Sequence, residues 1–210
     1  MLENKHVLVL APHTDDGELG CGGTIAKLLD LGSTVFYAAF STAEASVPPG
    51  FPRNQLEIEV RAATQKLGIP EEQLFVYKYQ VRKLNYVRQE ILEELIKLRP
   101  FVKPDIVFLP SSKDIHQDHS TIHKEGIRAF KYSTILGYEL IWNNLSFSTD
   151  CFIEIEQSHL DRKLNALQEY KTQEGKPYMN MDFIRSLAVV RGTQIGVDYA
   201  EAFEVVRVIF

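Results

Sequence analysis

Two short stretches of the sequence concentrate side chains that can bind a metal ion or move a proton. The first, APHTDDGELG (11–20), holds one histidine and three acidic residues: His13, Asp15, Asp16 and Glu18. The second, SSKDIHQDHSTIH (111–123), holds among others His116, Asp118, His119 and His123. Imidazole and carboxylate groups together bind zinc, and three protein ligands leave a fourth position open for catalysis. These residue types therefore indicate metal-assisted hydrolysis.

Each stretch directly follows an apolar run with the length of a strand. HVLVLA (6–11) precedes the first stretch, and DIVFLP (105–110) precedes the second. Ligands of open parallel sheets bind outside the carboxyl ends of the strands, so the two clusters would face one crevice if these strands are neighbours. Three acidic side chains crowded beside His13 would also repel one another, and a bound cation removes that repulsion.

Simpler interpretations exist for single residues of these clusters. Asp118 could begin the helix STIHKEGIRAF (120–130), because aspartate commonly caps helices. His123 lies one helical turn beyond His119, and we expect it on the helix face rather than at a metal. The glycines of GCGG (20–23) do not match the G-x-G-x-x-G dinucleotide pattern, so we expect them to serve close packing.

Five apolar runs of strand length, separated by helical patterns, predict an α/β fold with a mostly parallel sheet and helices on both faces. The runs cover residues 6–11, 34–40, 74–78, 105–110 and 136–142. The expected helices cover 54–67, 85–99, 157–171 and 178–191, and Pro100 is expected to end the second. The last segment, AFEVVRVIF (202–210), is expected to be an edge strand.

Composition narrows the class of protein. With 210 residues and 45% hydrophobic content, the chain can form one α/β core, and we expect a single domain over 1–210. A net charge of −5 argues against nucleic acid as a partner. The sequence contains no run of eighteen apolar residues, so no membrane span is predicted. The N-terminal segment does not resemble a signal peptide, so a cytoplasmic location is expected. The two cysteines are far apart and predict neither a disulfide framework nor a zinc site.

The two motifs resemble those of a known family. PHTDDGELGCGGT (12–24) and HQDH (116–119) are similar to the two signatures of the PIG-L, or LmbE-like, family of zinc-dependent N-acetylglucosaminyl deacetylases. Weaker matches extend the resemblance, among them Lys163 with ALQEY and Gln173, and the segment YAEAF (199–203). The resemblance implies a Rossmann-like fold, bound Zn²⁺, and removal of an acetyl group from a small-molecule amino sugar or its conjugate. It also implies a homo-oligomer, a trimer or a hexamer.

The resemblance assigns a role to each motif position. It places the zinc ligands on His13, Asp16 and His119. It makes Asp15 the general base, which fits a carboxylate next to a ligand that can take a proton from water. It makes His116, with Asp118 behind it, the group that stabilises the oxyanion and then protonates the leaving amine.

The chain departs from the family pattern at three positions. Thr14 and Gln117 stand where prolines are usual, and Leu56 stands where an arginine often occurs. We expect Arg53 or Arg82 to replace that arginine as a contact to the sugar or to a phosphate.

Two other functions compete with a deacetylase. A zinc phosphoesterase would use similar ligands, but usually with two metals and more cationic phosphate contacts. A non-catalytic sugar-binding module would have the same fold without turnover, although the presence of Asp15 argues against it.

Overall fold

A computed structural model describes residues 2–209 and shows a seven-stranded sheet in the order β3-β2-β1-β4-β5-β7-β6. The strands are β1 (His6–His13), β2 (Thr34–Ser41), β3 (Leu74–Val76), β4 (Ile106–Pro110), β5 (Thr134–Tyr138), β6 (Cys151–Ile155) and β7 (Tyr199–Arg207). The first five strands are parallel, whereas β7 runs antiparallel to both of its neighbours. The predicted mostly parallel α/β sheet is confirmed.

Helices cover both faces of this sheet. They are α1 (Asp16–Asp30), α2 (Gln55–Leu67), α3 (Arg88–Val102), α4 (Gln117–Ala129), α5 (Gln157–Leu167) and α6 (Met181–Ile195). Because side chains alternate along a strand, Val7 and Val9 of β1 join the core formed with α1, α2 and α5, while Leu8 and Leu10 join the core formed with α3 and α4. Among residues 2–209, no helix combines the length and apolarity that crossing a membrane requires.

Three sequence-based expectations about elements are wrong in detail. Pro100 lies inside α3, which ends at Val102 and is followed by Lys103, a residue with φ of 47°. A proline in the last turn removes only one helical hydrogen bond, so it does not have to end the helix. The fifth strand ends at Tyr138 rather than at residue 142. The segment 202–210 contributes to β7, which is not an edge strand, because the unpredicted strand β6 pairs with its outer side.

Helix α1 brings the first motif close to the sheet. Its path is interrupted at Cys21, where φ is −146° and ψ is 24°. The flanking glycines allow close packing: a Cβ on Gly20 would lie 2.3 Å from Cδ2 of Tyr138, and one on Gly22 would lie 2.9 Å from Cγ of Lys163. The GCGG segment therefore serves packing, and it holds the acidic first turn of α1 at the end of β1.

Candidate active site

A cavity of about 230 Å³ opens at the carboxyl ends of β1 and β4. These strands are neighbours, as the sequence argument required. Both motifs contribute to the wall, through His13, Thr14, Asp15, Asp16, His116 and His119. The remaining wall comes from segments outside the motifs and includes Arg82, Trp142, Gln173 and Tyr178.

Three donor atoms of the motifs lie close to one another in this cavity. Nδ1 of His13 lies 3.2 Å from Oδ2 of Asp16, and Nε2 of His119 lies 3.2 Å from the same His13 nitrogen. The distance from the His119 nitrogen to the Asp16 oxygen is 3.3 Å. Two ligands of a tetrahedral zinc with bonds of about 2.0–2.1 Å are about 3.3 Å apart, so these atoms have the spacing of one face of such a tetrahedron.

Carboxylates behind the two histidines orient their rings. Oδ2 of Asp118 lies 3.0 Å from Nε2 of His13, and Oδ2 of Asp114 lies 2.7 Å from Nδ1 of His119. When a ring is neutral, the carboxylate accepts its N–H, and the other nitrogen of that ring faces Asp16 with its lone pair. Two lone pairs and a carboxylate pointing at one another fit a divalent cation, and a zinc ion is suited to this donor set.

The charges of the site agree with a cation-binding role. Burial alone would lower the pKa of His13, but Asp16 and Asp118 outweigh it and raise this pKa to about 9. For His119 burial is likewise outweighed, by Asp16 and Asp114, and its pKa is about 10. The same negative charge that draws protons onto these rings also attracts a metal ion.

Asp118 does not lie behind the His116 ring, which corrects the sequence-based expectation. Its carboxylate contacts His13 and accepts the backbone N–H groups of Arg82, at 2.6 Å, and Leu84, at 3.1 Å. What reaches His116 is the backbone of Asp118, whose N–H donates to Nδ1 of His116 over 3.1 Å. His116 caps α4 in this way, so the side chain of Asp118 in the first turn is directed to the other histidine.

His116 lies beside the donor atoms without joining their triangle. A ligand-capable nitrogen from each of His13, His116 and His119 lies within 4.8 Å of the others. Because Nδ1 of His116 accepts a hydrogen bond, the proton of the neutral ring belongs on Nε2, which makes this ring a donor toward the cavity rather than a ligand. Burial, followed by the charges of His119 and His13, lowers the pKa of His116 to about 4.

Asp15 lies in the wall of the cavity that holds the donor triangle. It precedes α1 and lines the cavity, and it is partly accessible. Burial and the charge of Asp16 raise the pKa of Asp15 to about 7. A carboxyl group with a pKa near neutrality can both accept and return a proton, which is the property required of a general base.

Glu18, the third acidic residue of the first motif, is directed away from the donor triangle. Its carboxyl group is buried between the hydroxyls of Tyr37 and Tyr170, with the latter at 2.9 Å. Both hydroxyls also approach the carbonyl oxygen of Thr14, at 3.0 and 2.7 Å. Glu18 thus fixes the turn between His13 and Asp16. Burial raises its pKa to about 8, against the hydrogen bonds from both tyrosines.

The two arginines proposed as substrate contacts differ in position. Arg82 lines the cavity, whereas Arg53 lies outside that lining, with a side chain that is 85% exposed and 3.7 Å from Glu44. Leu56, at the position where the family often has an arginine, lies in the cavity wall. His123 has its Nδ1 2.8 Å from the carbonyl oxygen of Pro110, which fits its expected structural role.

Sequence reasoning did not identify several residues of the wall. Trp142 and Tyr178 come from loops with no recognisable motif, and their spacing gave no signal, whereas Gln173 is among the weaker matches to the family. Asp114 could have been considered, because it lies five residues before His119 in the second motif. Its contact with His119 depends on the turn that precedes α4, where Oδ1 of Asp114 accepts the backbone N–H of His116.

Comparison with known proteins agrees with this geometry. The family PIG-L, described as GlcNAc-PI de-N-acetylase, matches residues 8–130. An uncharacterized deacetylase of Escherichia coli (strain K12), YaiS, is 27% identical over 185 residues, covering 81% of this chain and 92% of its own. The diacetylchitobiose deacetylase of Thermococcus kodakarensis is 25% identical, covering 98% of this chain and 85% of its own. The crystal structure of a conserved protein from Thermus thermophilus superposes with a TM-score of 0.84 at 26% identity, covering 98% of this chain and 97% of that one. With its family match extending over more than half of its length, the chain belongs to the PIG-L family of deacetylases.

Proposed function

We propose that this protein is a zinc-dependent hydrolase that removes the acetyl group from an N-acetylglucosamine-type amino sugar or sugar conjugate. The observation that carries the proposal is the donor triangle of His13, Asp16 and His119, with Asp15 and His116 in the wall of the same cavity. The names of the relatives, which include a diacetylchitobiose deacetylase, support an acetylated amino sugar as substrate.

The residues around the triangle divide the work of amide hydrolysis. When bound, zinc supplies a positive charge that polarises the acetamide carbonyl and makes water more acidic. Asp15 is placed to take the proton of the attacking water. His116 presents its Nε2 proton to the carbonyl oxygen, which gains negative charge as water adds to the carbon.

Cleavage of the C–N bond also requires a proton on the departing nitrogen, because an amide anion is a poor leaving group. Asp15 holds the proton that it took from water, and it is the group that can return this proton to the amine. The charge balance is then closed: water adds to the carbonyl carbon, the amine leaves, and one proton passes from water to nitrogen. This assigns the proton to Asp15 rather than to His116, whose Nδ1 accepts a hydrogen bond and whose Nε2 proton serves the oxyanion.

The charge of the cavity favours an amide over a phosphate ester. Arg82 is the single arginine or lysine among the residues that line the cavity within residues 2–209. Phosphoryl transfer depends on several positive groups around the phosphate oxygens. We therefore propose Arg82 as one substrate contact, and we do not extend this role to the exposed Arg53.

The test is to incubate the zinc-loaded protein with a panel of N-acetylated amino sugars and a matched aryl phosphate, following acetate, free amine and phosphate separately. We expect acetate and amine in equal amounts from an amino sugar. The control is the Asp15→Asn variant, with its zinc content measured. If the protein were a non-catalytic sugar-binding module, neither the unchanged protein nor this variant would release acetate. Phosphate release without amine release would contradict the proposal.

Other expectations from the composition and from the resemblance stay predictions. They are a single domain over 1–210, assembly into a trimer or hexamer, a cytoplasmic location, and zinc rather than another divalent ion at the donor triangle. Elemental analysis and mass measurement of the intact assembly test the metal and the subunit number.

A further inference from the structure

We propose that Trp142 and Tyr178 form an aromatic wall that binds the face of the substrate's sugar ring and so selects pyranose substrates over acyclic acetamides. The proposal rests on the proposed function, because it concerns the same cavity and the same acetylated substrate. It adds a recognition element that neither sequence motif contains.

The two rings belong to different loops and meet in the cavity wall. Trp142 lies in the loop after β5, and Tyr178 lies in a short 3₁₀ turn (Pro177–Met179) before α6. Their ring centroids are 4.5 Å apart with an interplanar angle of 21°, which is a stacked arrangement. Both are half-buried, and both line the cavity that holds Asp15 and the donor triangle. Stacking covers one face of each ring, so the surface that this pair offers to a ligand is an outer face of the stack, beside the reacting groups.

A chain of hydrogen bonds fixes the position of this wall. The hydroxyl of Tyr178 donates to Oε1 of Gln173 over 3.1 Å, and Nε2 of Gln173 donates to Oγ1 of Thr172 over 3.1 Å. The Thr172 hydroxyl donates to the buried carboxylate of Glu59 over 2.6 Å, and the Thr172 backbone N–H donates to it over 3.0 Å. A surface held this way loses little conformational freedom when a ligand binds, which is characteristic of a recognition site.

The chemistry of such a wall matches a sugar ring. A pyranose presents axial C–H groups on its faces and hydroxyl groups around its rim, whereas the faces of aromatic rings carry negative charge that attracts C–H groups. The wall also offers polar groups for the rim, since Asn143 and Gln173 line the same cavity. An acyclic acetamide has no such face, so it would gain the contacts of the reacting centre without those of the wall.

Fluorescence provides a test that does not depend on turnover. Trp142 is the one tryptophan in the sequence, so intrinsic tryptophan emission reports on the wall directly. The zinc-loaded Asp15→Asn variant, which binds substrate without rapid turnover, is titrated with methyl N-acetylglucosaminide. We expect a saturable change in emission with this sugar, and none with N-acetylethanolamine at equal concentration. Sugar binding that is detected by calorimetry but leaves the emission unchanged would overturn the proposal.

Kinetics provides the second test. Trp142→Leu should raise KM for the N-acetylglucosaminide by about tenfold while changing kcat by less than about threefold, because an aromatic contact is lost and the reacting groups remain. Loss of folded protein would lower kcat instead. The matched control is Phe147→Leu, an aromatic change in the same loop at a half-buried residue outside the cavity lining, which should leave KM unchanged.

The outcomes separate this proposal from the proposed function. If the emission changes with the sugar but no acetate is released from any substrate, the deacetylase function is refuted and the proposed aromatic wall is retained. A protein that deacetylates the sugar, and for which Trp142→Leu leaves KM and the preference over N-acetylethanolamine unchanged, would refute the wall alone.

Discussion

The ion pair between Lys163 and Glu201 gives a quantitative test of how the first motif is held in place. The two side chains are only 7% and 6% exposed, and Nζ of Lys163 lies 2.6 Å from Oε1 of Glu201. Glu201 also accepts the backbone N–H groups of Gly23, at 3.1 Å, and Thr24, at 2.7 Å. These two amides begin the second segment of α1 after the break at Cys21.

Lys163 serves the other side of the same break. Its Nζ donates to the carbonyl oxygen of Leu19 over 2.8 Å, at the end of the first segment of α1. The ion pair thus satisfies backbone groups that the interruption leaves without helical partners. Replacing one partner leaves the other charge buried without compensation, for which the measured range is about 3–5 kcal/mol.

We therefore expect Lys163→Met and Glu201→Gln each to reduce the free energy of unfolding by about 3–5 kcal/mol. For a chain of this length that corresponds to a fall in Tm of roughly 6–20 °C. The double variant should lose less than the sum of the two single changes, because no isolated charge is left. Urea unfolding with a chelator present measures these values without a contribution from zinc binding.

The control is the exposed pair Arg185 and Asp161, whose charged atoms are 3.5 Å apart and whose side chains are 40% and 51% exposed. Arg185→Met should change the free energy of unfolding by less than about 1 kcal/mol. If Lys163→Met were as mild as Arg185→Met, or if the double variant showed simple additivity, the role assigned to the pair at the break in α1 would be refuted.

The remaining predictions concern the metal and the proton transfer. His119→Ala should remove zinc and activity together, since it deletes one corner of the donor triangle, and full zinc retention by elemental analysis would contradict that assignment. Asp15→Asn should keep the metal and lower kcat by about 10²-fold or more, because a general base contributes at least that much, and near-normal turnover would place the base elsewhere. Asp114→Asn should weaken zinc affinity by about 10–100-fold, since Asp114 orients His119; competition with a chromogenic chelator measures this, and unchanged affinity would remove Asp114 from the site.

The sequence predicted those parts of the fold and the site that depend on short apolar runs and on the residues that directly follow them. The apolar runs 6–11 and 105–110 predicted β1 and β4, which are neighbours in the sheet. Because ligands bind at the carboxyl ends of parallel strands, the sequence also predicted that His13 and His119 lie close together, as they do. Strand β6 was missed because CFIEI is short and follows a polar turn, and its omission also made β7 look like an edge.

Other features depend on contacts between distant parts of the chain. Asp118 lies two residues from His116 in sequence, yet its side chain contacts His13, which is 105 residues away. No spacing rule contains that information, because it depends on how the start of α4 faces β1. The wall of Trp142 and Tyr178 has the same origin: two loops without motif character meet only after the sheet is complete.

The contacts of Asp118 have a thermodynamic consequence for the loop that carries Arg82. One carboxylate oxygen of Asp118 accepts from both the ring of His13 and the backbone N–H of Arg82, and Arg82 is held at φ of 64°, in the left-handed region. Such a conformation is unfavourable for a non-glycine residue and persists only where its surroundings stabilise it. A cation that fixes His13 and Asp118 would therefore favour the loop conformation in which the Arg82 backbone N–H donates to Asp118. By linkage, that loop conformation would favour cation binding to the same extent. Metal affinity and the placement of the cavity's arginine then form a single coupled equilibrium, which substitutions in either segment would shift together.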